Sequence, residues 1–358
     1  MKYFAQRKAA AGLAAVALIA AACGGNSSAT EGGSASGKCT PPETPVINFV
    51  AYSTPREAYG KIISAFQEKW KEEHDDQQVL FRESYGSSTT QAQNIVGGFD
   101  ADIAALSLAP DLDIVKEAGL ITHDWEAQAD GGMVSTSVVA FDVRPGNPEG
   151  IKDFDDLTQS GLEVLTPDPA SSGGARWNIV AAFGASMRGY AGGAKDDSAA
   201  AQDLLQGIFG NVTVLDKSAR DSIKNFESGN GDVAITYENE ILTAQEAGLE
   251  DEMVIPPSTV LIENPVAVVD KYAEEHCVAD VAKEFVEFLH TDDAKELYTT
   301  VGFLRPTDLK AAQNGDGDMF ASVEDLWTVE DLGGWDAIEQ DVFSDEGAFT
   351  KAFEAAQG

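Results

Sequence analysis

The sequence predicts an α/β fold of two lobes, and three observations carry the prediction. Strand-like runs alternate with helix-like runs along most of the chain, the pattern of largely parallel sheets flanked by helices. Four turns share one form, a strand, then Ser or Thr, then a helix start: Thr54-Pro55-Arg56-Glu57, Ser88-Thr89-Thr90-Gln91, Ser172-Gly173-Gly174-Ala175 and Ser218-Ala219-Arg220-Asp221. Two long extended runs, 133–143 and 254–269, bracket a compact α/β stretch, as two crossings between lobes would.

Val46, Ile47, Phe49 and Val50 make residues 46–52 a strand. Tyr59, Ile62, Ile63, Phe66 and Trp70 then recur at helical spacing, so a helix with one buried face follows. Strands are expected at 77–83 and 101–106. The β-branched run 133–143 ends at Arg144-Pro145-Gly146, a turn signal. Inside the bracketed stretch, 162–165, 212–215 and 232–237 read as strands, and 173–188 and 199–207 as helices. The second long run contains Pro256, Pro257 and Pro265. Beyond it, 283–289, 294–301 and the tail from Ala321 read as helical. The expected division is lobe 1 over 40–135 plus 265–358, lobe 2 over 136–264, with the ligand cleft between them. Asn314-Gly315-Asp316-Gly317-Asp318 has the acidic look of a calcium loop but lacks Gly at the sixth position and Glu at the twelfth, so it reads as a surface turn.

The chain of 358 residues has 43% hydrophobic residues, enough for two cored lobes. Lys2, Arg7 and Lys8 precede an apolar run from Ala9 to Ala22, which reads as a secretory signal over 1–22. Small residues stand directly before Cys23, as in the lipobox of bacterial lipoproteins, although Ala20 replaces the more usual Leu. The expectation is that Cys23 becomes a lipidated first residue; ordinary cleavage beside an incidental Cys is the alternative. Residues 23–39 then form the anchor and a Gly/Ser-rich flexible tether. Export leaves two other cysteines, Cys39 and Cys277, in an oxidising compartment. A bond between them would stabilise the fold by roughly 4–5 kcal/mol in the entropic view; two unrelated thiols are the other possibility.

A helix start offers unpaired N–H groups and the positive end of the helix dipole. Several that converge make an anion site. The first two turns have the Ser/Thr-x-x-Glu/Gln form of a capping box, and the third has two glycines where backbone must be reachable. The formal net charge of −36 pulls the other way, repelling an anion at a distance while local donors attract it. That charge excludes a nucleic-acid binder and a polybasic membrane contact.

Thr166-Pro167-Asp168-Pro169-Ala170-Ser171-Ser172-Gly173-Gly174-Ala175-Arg176-Trp177-Asn178 resembles the signature segment of the bacterial sulfate/thiosulfate-binding proteins of ABC importers. Other pieces resemble that family in order: Tyr52 to Glu57, Ser84 to Ser88, Asp102 to Ala109, Leu215 to Arg220, Gly231 to Glu240, Gly333-Gly334-Trp335, and the stretch from Phe343 to Phe349. The resemblance covers nearly all of the chain after the tether. It implies the two-lobed type II periplasmic-binding-protein fold with an ion buried in the cleft. It also implies that Ser88, Ser172, Gly173, Gly174 and Ala219 supply donors, mostly backbone N–H. Ser53 stands where the family commonly has Asp, and Tyr237 where it commonly has Trp; both are expected at the ion. The implied partners are sulfate or thiosulfate, ABC permease subunits with their cytoplasmic ATPase, and the outer face of the cytoplasmic membrane through lipidated Cys23. The chain is expected to act as a single copy, without cofactor or metal.

Sulfate suits a site made only of donors, because it is a dianion with no proton to give; hydrogen phosphate carries a proton that wants an acceptor. Arg56, Arg176 and Arg220 stand in the first turns of three of the helices, either as charge balance or as structural arginines tied to a carboxylate or carbonyl. Trp177, one turn into its helix, reads as core. A serine hydrolase would need a His base, and none of His74, His123, His276 and His290 lies in one of the four turns. No zinc-like spacing exists either. The remaining alternatives are a receptor for another oxyanion such as molybdate, and a structural surface lipoprotein.

Overall fold

The computed structural model describes residues 39–357. The expected leader, Cys23 and the tether up to Lys38 lie outside the described residues. The first half builds β1 (Val46–Tyr52), α1 (Arg56–Glu73), β2 (Leu80–Gly86), α2 (Ser88–Val96), β3 (Ile103–Ala105) and α3 (Ala109–Glu117). The long β4 (Met133–Val143) leads to β5 (Val164–Pro167), α4 (Gly173–Met187), α5 (Ser198–Gly210), β6 (Val212–Asp216), α6 (Ala219–Glu227), β7 (Val233–Tyr237), α7 (Glu238–Glu246) and β8 (Glu252–Val254). The long β9 (Ser258–Val268) is followed by α8 (Asp270–Glu275), α9 (Ala279–Leu289), α10 (Asp292–Thr300), α11 (Leu309–Asn314), β10 (Asp325–Trp327), α12 (Gly334–Ile338) and α13 (Ala348–Gln357).

The strand order is β2-β1-β3-β9-β4-β7-β5-β6, with β10 on β9 and β8 on β4. Pairing is parallel among β2, β1 and β3, and among β6, β5 and β7. The two long strands join these groups. β4 and β9 run antiparallel, with Ser135 opposite Asn264 and Val138 opposite Leu261. Beyond that contact β4 pairs with β7 from Val139 onward, and β9 pairs with β3 from Val266 onward.

Each group of strands has its own apolar core. α1 lays Tyr59, Phe66 and Trp70 against β1 and α9; Phe66 meets Phe285 at 5.0 Å between ring centroids, edge to face. Around β4, β5 and β7 the core holds Phe141, Phe154, Trp177 and Phe209. The carboxyl-terminal tail belongs to this second core: Trp327, Val342 and Phe349 pack into it, and Phe349 meets Phe209 at 5.0 Å. The division expected from sequence put that tail with the N-terminal segment. The tail also opens with β10 rather than a helix, pairing in parallel with the start of β9. Its periodic Phe343, Phe349 and Phe353 mark an apolar face, but periodicity does not name the face's partner. The second strand starts later than expected because Gln77 closes a turn on His74, and the third is cut to three residues.

Cys39 is joined to Cys277, with Cα atoms 5.3 Å apart, tying the start of the described chain to the α8–α9 turn. The Asn314–Asp318 segment is a turn in which Asp316 Oδ1 accepts from the backbone N–H groups of Asp318, Met319 and Phe320.

Arg305 and Glu238 form a fully buried ion pair, Nε to Oε2 2.5 Å and Nη2 to Oε1 2.7 Å. Arg305 also donates to the carbonyls of Ala312 and Ala321, and its backbone N–H to Thr136 on β4. The pair therefore ties the start of α7 to the long strand. Arg305→Met leaves a buried carboxylate without its cation and is expected to lower unfolding stability by about 3–5 kcal/mol. Urea denaturation checks this, and a loss under about 1 kcal/mol would show that the pair is dispensable.

Candidate functional site

The amino ends of α1, α2, α4 and α6 meet around one small chamber at the seam between the two strand groups. Its walls are Tyr52, Ser53 and Thr54 before α1; Gly86, Ser87 and Ser88 at α2; Ser172 and Gly174 at α4; Ser218 and Ala219 at α6; and Ser107 and Tyr237. These residues lie at or just beyond the carboxyl ends of β1, β2, β3, β5, β6 and β7, where open α/β sheets hold ligands. The free volume is about 10 Å³, measured to the centre of a water-sized sphere, of the order of one such sphere. The chamber suits one compact solute and no chain-like one.

Each helix brings first-turn N–H groups that have no intrahelical acceptor. At α4 the Ser172 hydroxyl caps Ala175 N–H at 3.4 Å, leaving the N–H groups of Gly173 and Gly174 ahead of the cap. At α6 the Ser218 hydroxyl accepts from Asp221 N–H at 3.1 Å, leaving Ala219. The two capping boxes expected from sequence do not form. Pro55 is the N-cap of α1, and Thr54 Oγ1 is buried without a partner. The N-cap of α2 is Ser87; Ser88 is already inside the helix, and its hydroxyl turns to a group the sequence reading did not use.

That group is Asp111, fully buried in the first turn of α3. Ser88 Oγ donates to Asp111 Oδ2 at 2.5 Å and accepts from Ser107 N–H at 2.8 Å. Ser107 Oγ shares a 2.8 Å hydrogen bond with the Tyr237 hydroxyl, and Ser107 carbonyl accepts from Trp177 Nε1 and Asn264 Nδ2. Burial pushes the Asp111 carboxyl up to about 6 against the opposing bond from Ser88. Burial also holds the Tyr237 phenol well above its usual range, so it stays a neutral donor.

Of the residues singled out by sequence, Ser53, Ser88, Ser172, Gly174, Ala219 and Tyr237 line the chamber. Gly173 stands beside it: a Cβ there would meet Ser107 Cβ and Leu108 Cγ at 3.0 Å, so the first turn of α4 approaches the β3 end too closely for a side chain. Asp111 and Ser107 are not among the residues singled out by sequence. Pro110 followed by Asp111 is a helix-start signal that would have marked α3. The arginines turn outward from the chamber. Arg176 pairs with Glu339 and lies over the Phe343 ring at 4.0 Å. Arg56 lies over Tyr85. Arg220 crosses the seam, donating to Thr54 carbonyl at 2.8 Å, to Glu57 at 2.9 and 3.1 Å, and to Glu240 at 3.0 Å. Further seam contacts are Ser87 Oγ and Ser171 Oγ on Lys217 carbonyl, at 2.5 and 2.9 Å, and Thr90 N–H on Ser171 carbonyl. Trp177 is core, packed edge to face on Trp335.

Among the described residues no cluster of His, Cys, Asp and Glu could hold a metal, and no helix is long and apolar enough to cross a membrane. The chamber offers neutral donors around a point, with Asp111 behind Ser88 and Asp221 behind Ser218.

Residues 47–304 match the family of bacterial extracellular solute-binding proteins. A sulfate-binding protein of Synechococcus elongatus is 38% identical over 345 residues, 96% of this chain and 95% of that protein. A thiosulfate-binding protein of Pseudomonas aeruginosa is 31% identical over 314 residues, 86% of this chain and 92% of its own length. Among solved structures, the sulfate-binding protein SubI of Mycobacterium tuberculosis superposes with a TM-score of 0.75 at 35% identity, covering 84% of this chain and 100% of that one.

A Cβ on Gly174 would stand 3.1 Å from Ala219 Cβ, 3.4 Å from Ser172 Oγ and 3.5 Å from Tyr237 Cε1. Gly174→Ala is therefore expected to weaken anion binding at least about tenfold by calorimetry while near-ultraviolet circular dichroism stays native; the added methyl acts through overpacking. Asp111 gives a pH dependence. Its carboxyl ionises as pH rises through about 6, and a dianion nearby favours the protonated form, so binding takes up a proton and weakens with rising pH. Between pH 5 and 7.5 the dissociation constant for sulfate should rise roughly three- to tenfold. In Asp111→Asn it should stay flat, and a slope that survives in that variant would remove Asp111 as its source.

Proposed function

We propose a function for a chain that belongs to the bacterial extracellular solute-binding proteins: it captures sulfate, with thiosulfate as the alternative ligand, and delivers it to an ABC permease driven by a cytoplasmic ATPase. The observation that carries this reading is the convergence of four helix starts and the Tyr237 hydroxyl on one ion-sized chamber. A dianion there meets N–H and O–H donors and the positive ends of helix dipoles, without a cation in the chamber. Two acids stand behind the chamber walls, Asp111 behind Ser88 and Asp221 behind Ser218, each with one oxygen engaged by that hydroxyl. Hydrogen phosphate would leave its proton facing donors, at a cost of roughly 1–3 kcal/mol. The likeness to sulfate- and thiosulfate-binding relatives over nearly the whole chain supports the same ligand class.

In this reading Ser53, Ser88, Ser172, Gly173, Gly174, Ala219 and Tyr237 surround the ion, the lobes close over it, and closure strengthens each contact by excluding water. The seam bonds of the Arg220 side chain and of the backbone carbonyl at position 217 hold the closed form. The protein works outside the cytoplasm as a carrier rather than a catalyst, as a single copy, held to the membrane through lipidated Cys23 and its tether.

Ser172→Ala removes a hydroxyl at the chamber wall and the cap of α4. It is expected to weaken sulfate binding by about 1–3 kcal/mol, roughly five- to 150-fold. Calorimetric titration of protein freed of bound ions by unfolding and refolding checks this, with sulfate, thiosulfate, molybdate and phosphate in turn. Tight sulfate binding with no phosphate response supports the reading. Preference for molybdate or phosphate would reassign the ligand, and silence to all four would remove the carrier role.

A further inference from the structure

Outside the chamber lies a larger cleft of about 610 Å³, measured to the centre of a water-sized sphere. Ser53, Gly86, Ser87 and Ser218 line both, so the cleft is the chamber's antechamber. Its charge is opposite to that of the whole molecule. The chain has 24 Lys and Arg against 60 Asp and Glu, yet the cleft is lined by Arg56, Lys217, Arg220 and Lys224 against Glu57 and Asp221. Glu57 accepts from Arg220, whereas Asp221 accepts from the neutral Ser218 Oγ at 2.8 Å and keeps its charge, so three cations not tied to Glu57 stand against that one acid. Arg220 is spent on Glu57 and Glu240. The remaining cations, Arg56, Lys217 and Lys224, are exposed, and none is ion-paired among the described residues. The backbone of Lys217 is held at the seam, where its carbonyl takes the hydroxyls of Ser87 and Ser171, so its side chain starts from the cleft wall.

We propose that this cleft is a first-contact site for the tetrahedral dianion, with Lys217 and Lys224 drawing it to the seam before the chamber closes over it. The inference rests on the sulfate reading and adds where the ion lands and which side chains set its rate of capture. At physiological ionic strength a charge acts over about 8 Å. Most of the distant carboxylates are therefore screened from an ion in the cleft, while the cations lining it are not. A cleft lined by one sign of charge raises association rates by roughly ten- to a thousandfold in strong cases and loses that effect with added salt.

The test measures association and dissociation of radiolabelled sulfate by rapid filtration, with an unlabelled chase for the second, at low and high ionic strength. The proteins are the wild type, Lys217→Gln/Lys224→Gln, and a control with the same charge change on α9 and α11, Lys283→Gln/Lys310→Gln. The cleft variant should associate about three- to tenfold more slowly at low ionic strength, with dissociation unchanged within twofold. The difference should shrink below twofold at high ionic strength, and the control should match the wild type. Equal slowing in both double variants would make net charge the cause and overturn the proposal, as would an unchanged association rate or a deficit that persists in high salt. A wild type that binds no sulfate would remove the functional reading itself, an outcome distinct from these.

Discussion

The antiparallel contact between β4 and β9 is the constraint on which the rest of the structure depends. Each strand has eleven residues and, besides its short edge partner, passes from the shared contact to one of the parallel groups. β4 leaves β9 at Val138 and joins β7; β9 leaves β4 at Pro265 and joins β3. A shared register thus sets the two parallel groups against each other with their carboxyl ends at one seam. The same segment reaches the chamber through side chains. Asn264 Nδ2 donates to Ser107 carbonyl, Ser137 Oγ donates to Asn239 Oδ1 in the first turn of α7, and Thr136 holds Arg305, which holds Glu238 beside Tyr237. Moving that contact by one residue would turn these side chains to the other face and unseat both sides of the chamber together.

The electrostatics follow from what the seam can bury. A cation in a dry chamber would need its own counter-charge when the ion leaves. Helix starts need none, since their partial charges are fixed in the backbone. Two of the arginines beside the four turns are accordingly neutralised away from the chamber, Arg176 by Glu339 and Arg220 by Glu57 and Glu240, while Arg56 lies over Tyr85. Burial alone would lower the charge state of Arg220, but its two carboxylates outweigh burial and hold it protonated. Arg220 therefore serves the seam as a bridge between strand groups.

Much of this was legible from sequence because it rests on local patterns. The 3.6-residue spacing from Tyr59 to Trp70 gives α1, and Ser/Thr before a helix gives the four turns. The Ser172-Gly173-Gly174 string gives the most crowded of them, where Gly173 abuts Ser107 and Gly174 abuts Ala219. The misses are long-range. Ser88 could cap its own helix, but a buried carboxylate 23 residues on takes its hydroxyl. Ser107 sits in a strand-end turn that looks like a plain connection, and its role comes from Tyr237, Trp177 and Asn264, all 70 residues or more away. The tail's apolar face packs on α5 because the chain returns there, and periodicity carries no information about returns.

The direction of the protons in this network bears on the choice of ligand. When Asp111 is ionised it can only accept, so the Ser88 hydroxyl proton must point to it, and Ser88 oxygen faces Ser107 N–H. Ser88 then has its backbone N–H left to offer a ligand. Tyr237 and Ser107 share one hydrogen bond, and if Tyr237 gives its proton to a bound ion, Ser107 Oγ must give its own to Tyr237. The Tyr237 proton can thus turn toward a ligand which only accepts, while the Ser88 proton stays on Asp111. Reversing Tyr237 to accept from a protonated ligand would turn its proton back onto Ser107, whose hydroxyl proton would then need a new acceptor in a buried site. A fully ionised tetrahedral oxyanion meets no such conflict, and that preference rests on hydrogen-bond direction more than on chamber size.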